Sequence, residues 1–266
     1  MKTSRLLALF SVITSISSAD FIQKTIPYEL DGVQFEGTLV YDSDDANEPL
    51  PGIIMIPNWM GPAENAFEKA RMIADDDFAV FVADMYGVEV RPTNASESSQ
   101  AAGFVRGDRE LMRARAQKAL DVFRGLSEAH PIDAQKTIAI GFCFGGGTVL
   151  ELARSGTESI DGVVSFHGDL KSPTLAADTK AIKIPVLVLH GADDPYVPQE
   201  DVTLFIETMK GSEVDDWTLV QFSGAVHSFT NPSADSDGAR YHERTAKRAF
   251  QMMEDFAEEV LDLDDD

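Results

Sequence analysis

The sequence predicts an α/β fold in which one mostly parallel sheet carries helices on both faces. Continuous apolar runs rich in Ile and Val recur at "GIIMIPNW", "FAVFVADMYG", "KTIAIGF" and "IPVLVLHG", as in strands buried on both sides. Segments with helical apolar spacing lie between them, so strand and helix alternate. A chain of 266 residues with no internal repeat and no Pro/Gly-rich linker suits a single domain with a sizeable core.

The elements follow in order. Residues 1–19 read as a signal peptide: Lys2 and Arg5, an apolar run from Leu6 to Ile16, then Ser17 and Ala19 placed as at a cleavage site. Residues 20–266 form the expected domain, which begins with an antiparallel hairpin, "FIQKTIPYEL" and "VQFEGTLVYD", around Asp31-Gly32. The first buried strand leads into a helix through "AENAFEKARMIA", and the strand "FAVFVADMYG" into a polar loop, "VEVRPTNASESSQ". A long amphipathic helix, "RELMRARAQKALDVFRGLSEA", precedes the strand "KTIAIGF" and a helix through "TVLELAR". The strand "IDGVVSFHG", a loop of Ser, Thr and Ala, and "IPVLVLHG" come next. The chain closes with a helix from about Pro198 to Met209, the strand "WTLVQF", a loop holding His227, and a helix from about Ala239 to Val260.

Charge and cysteine content narrow the function. The 22 Lys and Arg face 45 Asp and Glu, for a net charge of −23, so polyanions are repelled and nucleic acid is not an expected partner. The apolar run of the leader is short for a bilayer span and no later stretch is long enough, so an exported, periplasmic or extracellular protein without membrane contact is expected after leader removal. Cys143 is the only cysteine, which precludes an internal disulfide. There is no cysteine pair and no His pair at helical metal-ligand spacing, so a metal is not expected. The sequence does not speak to oligomeric state.

The lone thiol sits in "GFCFGG", a G-x-C-x-G after an apolar strand and before a helix. That is the context of a nucleophile elbow, with Cys in the place usually held by Ser. The tight turn strains the central residue, and Gly141 and Gly145 leave room for neighbouring strand and helix. The helix N-terminus favours thiolate, and the backbone N–H of Phe144 is placed to meet a developing oxyanion. The order of an elbow site is nucleophile, acid, histidine. Here "LHGADDPYVP" follows a strand and "GAVHSF" precedes the last helix, which makes His227 the proton carrier and either Asp193 or Asp194 its acid partner.

Together "GFCFGG", "GADDPYVP" and "GAVHSF" resemble the dienelactone hydrolase family over most of the mature chain, from "GIIMIPNWMGP" to the C-terminal helix. The resemblance implies an α/β-hydrolase fold and cofactor-free cleavage of a small-molecule ester or lactone. Its G-x-x-D-x-x-V-P pattern selects Asp194, giving a triad of Cys143, Asp194 and His227. The sequence departs from the family twice. Asn58 stands in "PNWMG" where a glutamate commonly influences the resting thiol, although Trp59 keeps a backbone N–H for the oxyanion. Asn231 stands where members that bind carboxylated dienelactones carry an arginine, leaving Arg91 as a candidate contact for an anionic group. Neutral esters or lactones are therefore the expected substrates. Tyr86 and Trp59, with Phe142, Phe144 and Met60, are candidates to line the pocket; Asn58, Tyr86, Arg91 and Asn231 are the proposed substrate contacts. His167 and His190 end strands but fall outside the triad pattern and read as structural. A peptidase or acyl transferase on the same triad, and a binding protein that kept only the fold, stay open at this stage.

Overall fold

The protein is described by a computed structural model over residues 21–43, 47–75 and 78–263. The leader read at residues 1–19 lies outside the described residues. Strands β1 (Phe21–Leu30) and β2 (Val33–Asp42) form the expected hairpin, paired antiparallel from Phe21 with Asp42 to Leu30 with Val33. Both turn residues, Asp31 (φ 52°) and Gly32 (φ 78°), have positive φ, the requirement of a two-residue hairpin turn that follows the strand twist.

Six further strands complete one sheet: β3 (Leu50–Ile56), β4 (Ala79–Val82), β5 (Ile132–Phe142), β6 (Gly162–Phe166), β7 (Val186–Gly191) and β8 (Trp217–Phe222). Their order is β1-β2-β4-β3-β5-β6-β7-β8; β2 meets β4 antiparallel, and every pair from β4 to β8 is parallel. The helices are α1 (Glu64–Ala74), α2 (Ala95–Arg106), α3 (Arg109–Gly125), α4 (Phe144–Arg154), the short α5 (Leu175–Asp178), α6 (Gln199–Lys210) and α7 (Glu243–Leu261). One core lies under α2, α3, α4 and α6; the other lies under α1 and α7. On α7 the inward stripe is Ala246, Ala249, Met253, Ala257 and Leu261, spaced three or four residues apart as helix periodicity demands. Burying Met253 there contributes about 1.5–3 kcal/mol by transfer.

Two segments differ from expectation. The strand read in "FAVFVADMYG" pairs only over Ala79–Val82, because the buried Asp84 carboxylate then gathers the backbone N–H groups of Tyr86 and Gly87 into a turn. The polar loop of residues 88–100 gives way to α2 from Ala95. Asn94 caps that helix by accepting from Glu97 N–H, while its buried face is made of Ser98, Ala101, Ala102 and Val105. Small and polar residues leave only a faint hydrophobic stripe, so the cap was the stronger signal.

Candidate active site

The carboxyl ends of β3, β5, β6 and β7, together with the loop after β8, meet at one place. Cys143 follows β5 and opens α4 with φ 57° and ψ −112°, a conformation that L residues rarely hold. Steric exclusion enforces it. A Cβ on Gly141 would overlap the Gly145 carbonyl, and one on Gly145 would overlap the carbonyls of Ile56 and Pro57, so only glycine lets α4 seat against β3. The Cys143 N–H donates to Phe166 O at 3.0 Å and to His167 Nδ1 at 3.1 Å.

His227 reaches the thiol from the opposite side. Its loop passes hard against β7, where a Cβ on Gly191 would lie 2.6 Å from Ala225 O, and its backbone is held by Gly238 O and Arg240 N–H. His227 Nδ1–H donates to Asp194 Oδ2 at 2.7 Å, and the imidazole interacts electrostatically with the Cys143 sulfur. The adjacent carboxylates are separated by burial: Asp194 is buried and also accepts Tyr196 N–H at 2.9 Å, while Asp193 is exposed. Of the two adjacent carboxylates, Asp194 is the one that His227 bonds.

Electrostatics follow from these contacts. Burial alone would lower the His227 pKa, but the Asp194 and Cys143 hydrogen bonds and charges outweigh it and raise it to about 10. Burial alone would raise the Cys143 thiol; His227, the Phe144 N–H and the charge of Arg106 bring it below its ordinary value instead. Both shifts favour the thiolate–imidazolium pair over the neutral thiol and imidazole.

The other predicted residues fall into distinct surroundings. Tyr86 is buried, packs against Phe144 with ring centroids 5.6 Å apart, and donates its hydroxyl to Trp59 O at 3.0 Å. It therefore touches both residues whose N–H groups were expected to meet an oxyanion. Asn58 accepts Met60 N–H at 2.9 Å and closes its own turn, leaving the Trp59 ring 37% exposed above the site. Arg91 donates to Asp84 Oδ2 at 2.9 Å and to Gly87 O, which ties it to the loop carrying Tyr86; as a free cation for substrate it is replaced by this structural role. Asn231 accepts Ser233 N–H at 3.1 Å and faces a cavity of about 540 Å³ between α1 and α7, lined also by Lys69, Thr230 and Phe250; Cys143 does not line that cavity. Among the described residues no cluster of three or more His, Cys, Asp or Glu is arranged to hold a metal, and no helix is long and apolar enough to cross a membrane.

Two neighbours of the site, Tyr196 and Arg106, were not singled out from sequence, and a third, His167, was read there as structural. The exposed Tyr196 ring stands edge-on to His227 at 5.2 Å. Arg106, in the last turn of α2, places its guanidinium 5.8 Å from the Phe144 ring centroid and forms no ion pair with another described residue. His167, read as a structural histidine, accepts the Cys143 backbone N–H directly. Tyr196 lies inside the G-x-x-D-x-x-V-P pattern and could have been marked there; Arg106 had no local signal.

The sequence profile of the dienelactone hydrolase family matches residues 36–261. The chain belongs to that family. Dienelactone hydrolase-type chains in solved structures share its architecture: m3DLH is 35% identical, with a TM-score of 0.81 over 90% of this chain and 98% of that one. A dienelactone hydrolase-like promiscuous phosphotriesterase from metagenomic libraries is 34% identical, with a TM-score of 0.82 over 91% and 99% of the two chains. A carboxymethylenebutenolidase homolog of Rattus norvegicus is 24% identical over 205 residues, 75% of this chain and 78% of the relative. As a dienelactone hydrolase family member with an α/β-hydrolase fold, the protein is a hydrolase of the carboxylic ester type.

Proposed function

We propose that this protein cleaves an ester or lactone through Cys143, His227 and Asp194. One observation carries the reading: His227 bonds Asp194 at 2.7 Å, and its imidazole and the Cys143 thiol shift each other's pKa toward the charged pair. The thiolate attacks the carbonyl carbon and its electron pair forms the C–S bond, pushing the carbonyl electrons onto oxygen. The N–H groups of Phe144 and Trp59 are the proposed donors to that oxyanion, with Tyr86 fixing the Trp59 peptide through its carbonyl. Collapse expels the alkoxide, which takes the His227 proton and leaves a thioester. His227 then removes a proton from water, water attacks the thioester, and the acid is released with the thiolate restored. Asp194 holds the imidazole tautomer throughout.

A small thiol-trapping experiment tests this. Stopping turnover of an activated ester with acid and weighing the intact protein should reveal a single acyl adduct on Cys143, absent from Cys143→Ala, which should also lose nearly all turnover. Wild-type activity in Cys143→Ala overturns the reading. Partition of the acyl group to water rather than to added alcohols or amines separates hydrolase from acyl transferase and peptidase.

Neutral esters and uncharged lactones are the first substrate reading, supported by Asn231 and by the engagement of Arg91 with Asp84. A second reading is favoured by Arg106, which lies over Phe144 and forms no ion pair with another described residue: an anionic substituent on the substrate. Comparing kcat/KM for matched neutral and carboxylated lactones, in wild type and Arg106→Gln, decides between them. A charge-assisted contact of about 1.5–3 kcal/mol corresponds to one to two decades of selectivity lost in the variant; equal ratios in both proteins leave the neutral reading standing. Export is proposed from the leader features of residues 1–19, and the N-terminal residue of protein recovered outside the cytoplasm, expected at Asp20, tests it.

A further inference from the structure

We propose that His167 is a positioning residue of the hydrolytic site, tying the turn that carries Cys143 to the loop that carries His227. The inference rests on the reading of those two residues as nucleophile and proton carrier. His167 Nδ1 accepts the Cys143 N–H at 3.1 Å, so the imidazole hydrogen lies on Nε2 and is donated to Thr230 Oγ1 at 2.9 Å. Thr230 sits three residues past His227 on the same loop. The ring therefore spans 24 residues back to the elbow and 63 forward to the histidine loop.

The backbone around this tie is strained on all three sides. Cys143 (φ 57°), His167 (φ 40°) and Ser228 (φ 55°) all hold the left-handed region without being glycine. Strain of this kind persists only where surrounding contacts over-determine it, and it gathers at functional sites. The His167 ring fills the space between them, edge-on to His227 at 5.1 Å and to Phe229 at 5.0 Å. Sub-ångström relaxation there changes the distance from the sulfur to the His227 ring, on which both proton transfer and thiolate stability depend.

The tie works only with a neutral ring, since protonation would put hydrogen on Nδ1 against the Cys143 N–H. Burial holds His167 neutral, and the groups facing it reinforce this: His227 from the loop before α7, Lys69 from α1 and His190 at the end of β7. The buried site offers no carboxylate partner among the contacts that set its charge.

Thr230→Val keeps side-chain shape and removes the hydroxyl, Thr230→Ser restores it, and His167→Phe removes both bonds. The readouts are kcat and KM on an activated ester, the pH midpoint of iodoacetamide alkylation of Cys143, and thermal melting. His167→Phe should lower kcat about a hundredfold with KM within about threefold, and Thr230→Val about tenfold. In both, the alkylation midpoint should rise toward that of an ordinary thiol, and Thr230→Ser should return within about twofold of wild type. Should His167→Phe fail to fold, the Thr230→Val and Thr230→Ser pair decides. Folded variants with wild-type kcat and an unmoved alkylation midpoint overturn the proposal. Alkylation reads the tie without turnover, so an active Cys143→Ala would overturn the nucleophile assignment separately.

Discussion

Two imidazoles stand 5.1 Å apart at the carboxyl end of the sheet, His227 and His167, and they hold opposite charge states. Both are largely shielded from water, so burial pushes both toward the neutral form. His227 nevertheless stays protonated up to about pH 10, while His167 falls well below its ordinary value. The difference lies in what each ring nitrogen meets. His227 faces an acceptor on both sides, the Asp194 carboxylate and the Cys143 sulfur, whereas His167 faces a backbone donor and a threonine hydroxyl. Burial thus sets the stakes, and the donor or acceptor character of the neighbours decides the outcome.

Removing the acceptor should break that contrast most severely. In Asp194→Asn the His227 pKa should fall and its tautomer should invert, reducing kcat by about 10³–10⁴, while Asp193→Asn on the exposed neighbour should change it less than about threefold. Parallel kinetics of the two variants check this, and the reverse ranking would move the acid by one residue.

A second break concerns stability against pH. The raised His227 pKa contributes stability that is complete below about pH 6.5 and is lost as pH rises toward about 10. The depressed Cys143 pKa acts oppositely: its contribution is lost as pH falls through the folded value and is complete above the ordinary thiol value of 9.0. Where the native thiol is ionised and the unfolded one is not, the two slopes oppose each other. Cys143→Ala removes one of them, and denaturant titrations should show stability declining from about pH 6.5 by at most about 1.4 kcal/mol per pH unit. A flat profile in the variant would mean that Asp194 alone does not keep His227 charged.

The smallest effect sharpens the neutral side of the comparison. Lys69 lies 5.5 Å from the Phe142 ring centroid and adds positive potential at His167, but burial does more. Lys69→Met should leave His167 neutral at pH 6 by NMR of its ring protons and keep kcat within about twofold; a His167 that protonates near pH 6 would show that Lys69 carried the effect.

The sequence made much of this site legible because the elbow is local. A strand, two glycines and a helix start lie within ten residues, and the steric demands at Gly141 and Gly145 are written in their identities. The histidine was placed by order along the chain, but the acid was not: Asp193 and Asp194 look alike until burial separates them, and only the family pattern chose. Arg91 looked available because Asp84 ends in a hydrophobic strand and gave no hint that its carboxylate would turn back to hold it. Arg106 lies in a helix that the sequence left half as loop, and its approach to Phe144 crosses 38 residues of chain. His167 read as structural for the same reason, since neither partner is its neighbour in sequence. The fold was read closely where apolar period was strong, as in the hairpin and the long helix after Arg109, and least where small residues made the buried face, as in α2.

The seat of α4 against β3 constrains how this enzyme can change. Because Gly145 lies against the Ile56 and Pro57 carbonyls, any side chain there would push the Cys143 turn and the segment after β3 apart. The landscape of viable variants is therefore steep along the elbow and shallow at its rim, where Trp59 and Tyr196 are exposed aromatic residues. New specificities are accessible by small steps at those two rings, with the reacting atoms left where they are.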